Sequence, residues 1–275
     1  MDPGGQFRLG FGAALSQVGT SVMLGGGASS MQVRFVGAPE RTVLRFPGSH
    51  YATLDLSRTL DVVRSARGAL TGIEAMPGLV PLIEAVQEAE RDPEIAALVV
   101  RVNALGMGLA EVEEMRDVLA RFKASGKLLW VHVDRLDLPT AYLASVADRV
   151  LMHPMASVVL TGVAEEKTYL RGLLDRIGIQ PQFVAIGRYK SAMETFERTG
   201  PSDGDREQTR AMLEDTWSRL LGEMARARKT DQPRIESAFR RGVFTPGQAM
   251  DIGLVDELAE HDQLRPLLEK FLARS

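Results

Sequence analysis

The chain predicts an α/β fold in which a mostly parallel sheet is flanked by helices and followed by a helical C-terminal part. Three observations predict it. Short, nearly continuous apolar runs such as Ala97–Val102 and Leu128–Val133 have the composition of strands buried on both faces. Between them, apolar residues recur every three or four positions, the helical period. The connections are short, so strand and helix alternate as they do in a helix-covered parallel sheet.

The elements follow in order. Phe7, Leu9, Phe11, Val33 and Phe35 alternate with small or polar residues around Gly25-Gly26-Gly27, which predicts strands joined by a turn. These lie in a β-rich segment, 1–48, with no evident sheet of its own. Tyr51–Leu56 reads as a strand opening an α/β core over 49–200. Leu79, Leu82, Ile83, Val86 and Ala89 share a helical face over 79–91, and Asp92-Pro93 ends that helix. Strand 97–102 leads through Gly106-Met107-Gly108 to a helix over 109–124, stopped at Gly126. Strand 128–133, a helix over 138–147 and a strand over 149–152 continue the alternation. Tyr169, Leu170, Leu173, Leu174 and Ile177 predict a helix over 165–177, and the apolar run at 182–186 a strand. From 201 to 275 the character is helical: 203–228, 232–241, a helix capped by Thr245 with Pro246 at its first position, and 262–273.

Composition narrows the function. The 275 residues carry a net charge of −3, so no nucleic-acid partner is expected, and the basic clusters at 226–229 and 240–241 read as solvated helix faces. With no cysteine, disulfides, thiolate metal sites and a cysteine nucleophile are excluded. His50, His132, His153 and His261 are far apart in sequence without metal-ligand spacing. They read as structural, and no metal or cofactor is expected. The sequence contains no apolar stretch of transmembrane length, and its N-terminus lacks the basic region of a signal peptide.

The chemistry centres on Gly187-Arg188-Tyr189-Lys190-Ser191-Ala192. A lysine at a strand exit, walled by Ile186, Tyr189 and Phe196, can act as a general base if it is desolvated. The bland reading pairs it with Glu194 or Glu197 at a surface. This stretch, with Tyr142-Leu143-Ala144-Ser145, Ala147-Asp148-Arg149-Val150, Pro154, Arg206-Glu207 and Gly253-Leu254-Val255-Asp256, resembles the signal peptide peptidase (SppA, protease IV) family over about residues 50–260.

The resemblance implies a ClpP/crotonase-like fold and a serine endopeptidase with a Ser–Lys dyad, Lys190 being its general base. It also implies signal-peptide-like peptide substrates, a membrane-associated oligomer and a place in the bacterial cell envelope. Where short members carry the serine of a Ser-Gly-Gly-Tyr-Tyr stretch, this chain has Leu138-Pro139-Thr140-Ala141-Tyr142. Leu138 cannot be a nucleophile, and the hydroxyls of Thr140 and Ser145 are the candidate replacements. The family's Pro-Gly-Gly becomes Asn103-Ala104-Leu105-Gly106-Met107-Gly108. Gly106 and Gly108 are candidate substrate-binding positions if their backbone approaches a peptide; a turn into the following helix is the preferred reading. Lysine present and serine absent resembles the N-terminal repeat of the family's long form, with 1–48 as the tail of a preceding region.

Three functions compete: a peptidase unit completed by a Ser-bearing partner or repeat, a non-catalytic scaffold that binds hydrophobic peptides, and an acyl-CoA enzyme of the crotonase type. The last ranks low because no suitably placed carboxylate pair is evident.

Overall fold

A computed structural model describes residues 9–15, 18–25, 28–35, 50–56, 78–183 and 186–272. Two compact units are present, Met1–Ser49 and His50–Ser275. In the first, β1 (Leu9–Leu15), β2 (Val18–Gly25) and β3 (Ala28–Phe35) form an antiparallel three-stranded sheet in the order β1-β2-β3. Leu15 pairs with Val18 and Gly25 with Ala28, so both connections are two residues long. The segment thus has a sheet of its own, which the sequence did not reveal. Phe7 and residues 36–46 lie outside the described residues.

The second unit contains β4 (His50–Asp55), α1 (Leu79–Arg91), β5 (Ile95–Val102), α2 (Leu109–Ala124), β6 (Leu128–Leu136), α3 (Leu138–Ala144) and β7 (Arg149–Val159). After them come α4 (Arg171–Arg176), α5 (Glu194–Glu197), α6 (Asp203–Arg228), α7 (Gln232–Arg241), β8 (Val243–Phe244), α8 (Pro246–Ile252), β9 (Glu257–Leu258) and α9 (Leu264–Leu272). The sheet runs β4-β5-β6-β7-β8, with β9 also on β7. Strands β4 to β7 are mutually parallel, and only β8 is antiparallel. This is the mostly parallel sheet with flanking helices that the sequence predicts.

Local chemistry explains the helix boundaries. The Asp137 side chain accepts from Thr140 N at 3.1 Å and opens α3, with Pro139 in its first turn. Ser202 accepts from Asp205 N and opens α6. Thr245 and Gln248 form a reciprocal capping box on α8.

Alternation along β6 divides its side chains between two cores. Leu129, Val131 and Val133 face the main core, which Val112, Met115 and Phe122 of α2 and Leu220, Leu221 and Met224 of α6 complete. Trp130 faces the second core with Ala97, Val99 and Leu151, beneath Leu264 and Leu268 of α9. The Phe271 ring meets Trp130 edge-on at 5.6 Å.

Two predicted elements fail. In place of a helix over 165–177, residues 161–170 are irregular and only Arg171–Arg176 is helical. Residues 182–183 and 186 are not strand; Val184 and Ala185 lie outside the described residues. The periodicity that predicts the helix is real, but its apolar face finds no cover: Leu173 is 57% and Ile177 60% exposed.

Candidate active site

Lys190 is exposed, in the loop between α4 and α5. Gly187 starts the local turn at φ 115°, a conformation that side chains with a Cβ resist, and the Lys190 N–H donates to its carbonyl at 3.3 Å. The loop is fastened to the start of α6 just ahead of the lysine. Arg188 Nη2 and Tyr189 OH each donate to the Glu207 carboxylate. On the other side, the Ser191 side chain approaches Asp205 and favours its carboxylate form. The backbone runs so close to α6 here that a Cβ on Gly204 would collide with the Arg188 carbonyl.

Asp205 is buried and organises this region. Lys167 Nζ donates to its Oδ1 at 2.7 Å and to Thr209 Oγ1 at 2.8 Å. The Lys167 hydrogen bond, then the nearby Ser191 side chain, hold the Asp205 carboxyl below the usual carboxylate range. The same bond raises the Lys167 pKa and so favours its charged form. Lys127 differs again: burial lowers its pKa, yet its ammonium donates to the carbonyls of Ala89 and Asp92 at 2.6 Å, tying down the end of α1.

The wall expected around Lys190 is open. Ile186 is 83% and Tyr189 49% exposed, while Phe196 packs against Phe183 with ring centroids 5.9 Å apart. The bland alternative also fails. Glu194 accepts from Ser202 N and Oγ, and Glu197 accepts from Phe183 N at 3.2 Å. Among the described residues the Lys190 ammonium has no hydrogen-bond or ion-pair partner.

The other candidates lie elsewhere in the unit. Leu138 is buried at the start of α3. Thr140 is fully buried, and buried Ser145 donates to the Tyr142 carbonyl at 2.7 Å, so neither hydroxyl is exposed to a substrate. Gly108 is the N-cap of α2, and its N–H donates to Glu111 Oε2 at 2.8 Å. Gly106 is exposed in the loop ahead of it.

Several motif residues prove to be architectural. Burial, then its bond to Glu223, raises the pKa of the Tyr142 hydroxyl, and Arg116 lies 4.6 Å above the same ring, interlocking α2, α3 and α6. Asp148 accepts from Leu129 N at 2.9 Å, and Asp256 accepts from Val150 N at 2.7 Å. Sequence separation hid one feature altogether: His132, His153 and His261 lie together, with ring centroids 4.5 and 6.1 Å from His261.

The helix-covered, mostly parallel sheet defines the second unit as an α/β one. Residues 121–274 match the model of peptidase family S49, more than half of the chain, and the chain belongs to that family. Its fold is accordingly the ClpP/crotonase-like one that the resemblance implies. It is 27% identical over 191 residues to the chloroplastic serine protease SPPA of Arabidopsis thaliana, covering 70% of this chain and 28% of that protein. It is 29% identical over 155 residues to Protease 4 of Haemophilus influenzae, covering 56% and 25%. Protease 4 of Salmonella typhi is 27% identical over 201 residues, covering 70% and 32%. The chain thus spans between 25% and 32% of the length of these relatives. Among solved structures, it is similar to a membrane-bound stomatin-specific protease (TM-score 0.42, 13% identity, covering 80% of this chain and 82% of that one). An enoyl-CoA hydratase from Shewanella pealeana gives a TM-score of 0.40 at 11% identity, covering 71% and 62%. No helix among the described residues is long and apolar enough to cross a membrane.

Proposed function

We propose that the chain is the lysine-bearing unit of a signal-peptide-peptidase-type serine endopeptidase, completed by a serine from another repeat or subunit. One observation carries this reading: the loop bearing Lys190 is fastened to α6 through Arg188 and Tyr189, yet the lysine itself is exposed beside Ile186, Tyr189 and Met193. A general-base lysine must be neutral, which requires desolvation. A docking partner that covers these apolar residues supplies both missing parts, the dry environment and the nucleophile.

In the assembled site, neutral Lys190 takes the proton of the partner's serine as its oxygen attacks the scissile carbonyl, and returns it to the leaving amine. Gly106 and Gly108 are assigned to the approach of the peptide backbone, a part for which Gly106 is better suited because the Gly108 N–H already serves Glu111. The substrates in this reading are signal-peptide-like, and the working place is the bacterial cell envelope.

The test combines this chain with a Ser-bearing repeat or chain of the same family and measures cleavage of a signal-peptide-like substrate. This chain alone is expected to be inert. The mixture is expected to cleave, and Lys190→Ala to lower the rate by about 10²–10⁴-fold. Cleavage that is insensitive to Lys190→Ala, or none in any pairing, removes the proposal.

A second reading, a non-catalytic scaffold for hydrophobic peptides, is favoured by the exposed Phe183, Ile186 and Met193 and by the leucine at position 138. It predicts peptide binding that Lys190→Ala leaves unchanged, with no cleavage in any mixture.

A further inference from the structure

Period two places Trp130, His132 and Asp134 of β6 on the same sheet face. The segment between β9 and α9 lays His261 over that face. His261 Nε2 lies 3.0 Å from Asp134 Oδ1, and His132 Nδ1 lies 3.7 Å from the same oxygen. One ligand atom from each of the three residues falls within 4.8 Å of the others.

Hydrogen-bond roles locate the protons. His132 Nε2 faces the Ala259 carbonyl at 2.9 Å. A carbonyl only accepts, so Nε2 carries the hydrogen and Nδ1 of the neutral ring presents a lone pair. The His132 Nδ1 is buried without a hydrogen-bond partner among the described residues, and the Asp134 Oδ1 that it faces at 3.7 Å can only accept. Two acceptors therefore face each other with no hydrogen between them, an arrangement that a cation relieves.

We propose that His132 Nδ1, Asp134 Oδ1 and His261 Nε2 bind one divalent transition-metal ion, with Zn²⁺ best matched to two imidazoles and a carboxylate. Three protein ligands leave a fourth position for water. The bond from His132 Nε2 to the Ala259 carbonyl is the kind of outer contact that fixes the tautomer and orientation of a metal-bound imidazole. Asp134 and His261 are only partly buried, so the ion has a route from solvent. Bound there, it joins the central strand β6 to the chain entering α9.

Arg101 opposes binding. Its Nη2 lies 3.1 Å from His261 Nδ1 and, having only hydrogens to offer, holds that nitrogen as an acceptor. An ion on Nε2 moves the ring's proton to Nδ1, against a guanidinium that cannot accept it. The guanidinium must then move aside, so its removal strengthens the site.

The test uses the full chain, stripped with a chelator, dialysed and titrated with ZnCl₂ by calorimetry, with melting followed in parallel. One Zn²⁺ per chain and a higher melting temperature are expected, and Co²⁺ in its place gives the visible absorption of a tetrahedral site. His261→Ala and Asp134→Asn, both at partly exposed positions and checked for folding by circular dichroism, are each expected to weaken binding at least about tenfold. Arg101→Gln, whose amide oxygen accepts from Nδ1–H, is expected to tighten it. Absence of stoichiometric uptake by the parent chain overturns the proposal. So does uptake of the same affinity in the folded His261→Ala and Asp134→Asn variants.

Discussion

The ammonium of Lys167 lies 2.7 Å from Oδ1 of Asp205, and the Ser191 side chain of the Lys190 loop approaches the same buried carboxylate. The folded Asp205 pKa is depressed, while an unfolded aspartate titrates near about 4. Its contribution to stability is therefore complete above that unfolded value and is lost as pH falls through the lower, folded one. Asp205→Asn is expected to cost about 2 kcal/mol at neutral pH and to flatten the acid limb of stability against pH. Urea midpoints measured from pH 7 down to pH 3 test both effects; equal acid slopes in parent and variant would contradict the assignment.

Two glycines of α6 are expected to respond oppositely to alanine. At Gly204 an added Cβ meets the Arg188 carbonyl, so the Lys190 loop must retreat; at Gly222 the nearest atom is Gln232 Oε1 at 3.5 Å, an ordinary contact. Gly222→Ala is expected to stabilise by about 0.5–1 kcal/mol through helix propensity. Gly204→Ala is expected to destabilise by about 1–3 kcal/mol, as overpacking does, and to raise proteolytic susceptibility between Gly187 and Ser191. Thermal denaturation and limited proteolysis of the two variants provide the comparison.

The same contrast shows what was legible in the sequence. From Leu79 to Val159 the strands and helices follow their apolar patterns, because each apolar face meets a partner within the same unit. At Leu173 and Ile177 the pattern is equally helical, but both side chains are exposed. Periodicity records an apolar face, not what covers it. Lys190 was legible as a singular residue, whereas the ties from Arg188 and Tyr189 to α6 depend on contacts that cross 19 and 18 positions. The histidine cluster depends on a still longer separation, and its residues look isolated until β6 and the α9 approach are superposed.

Asp256, the last residue of Gly-Leu-Val-Asp, has a structural role that is open to measurement. Its Oδ2 accepts from Val150 N at 2.7 Å, and its Oδ1 pairs at 2.7 Å with Arg228. Arg228 also donates from Nε to the Gly253 carbonyl at 3.0 Å. One carboxylate thus joins the end of α6 to β7. Asp256→Ala leaves the mostly buried Arg228 charge without this anion and Val150 N without its acceptor, so a loss of about 2–4 kcal/mol is expected. Asp256→Asn keeps an acceptor for Val150 and is expected to lose less. Equal losses in denaturant titrations would contradict the second half of this argument.

The two buried hydroxyls of α3 and its end separate the cost of an unmet hydrogen bond from the value of a met one. Thr140 Oγ1 is buried and finds no partner among the described residues, whereas Ser145 Oγ donates to the Tyr142 carbonyl at 2.7 Å. Valine nearly reproduces the shape of threonine without the hydroxyl. Thr140→Val is therefore expected to stabilise by about 1 kcal/mol, removing a desolvated group that gains nothing in return. Ser145→Ala is expected to destabilise by about 1 kcal/mol, because it removes the donor to Tyr142. Neither substitution is expected to alter cleavage by a complex with a Ser-bearing partner, since neither hydroxyl reaches the surface. A loss of cleavage in folded Thr140→Val or Ser145→Ala would instead identify that hydroxyl as the missing nucleophile and overturn the division of the dyad between two chains or repeats.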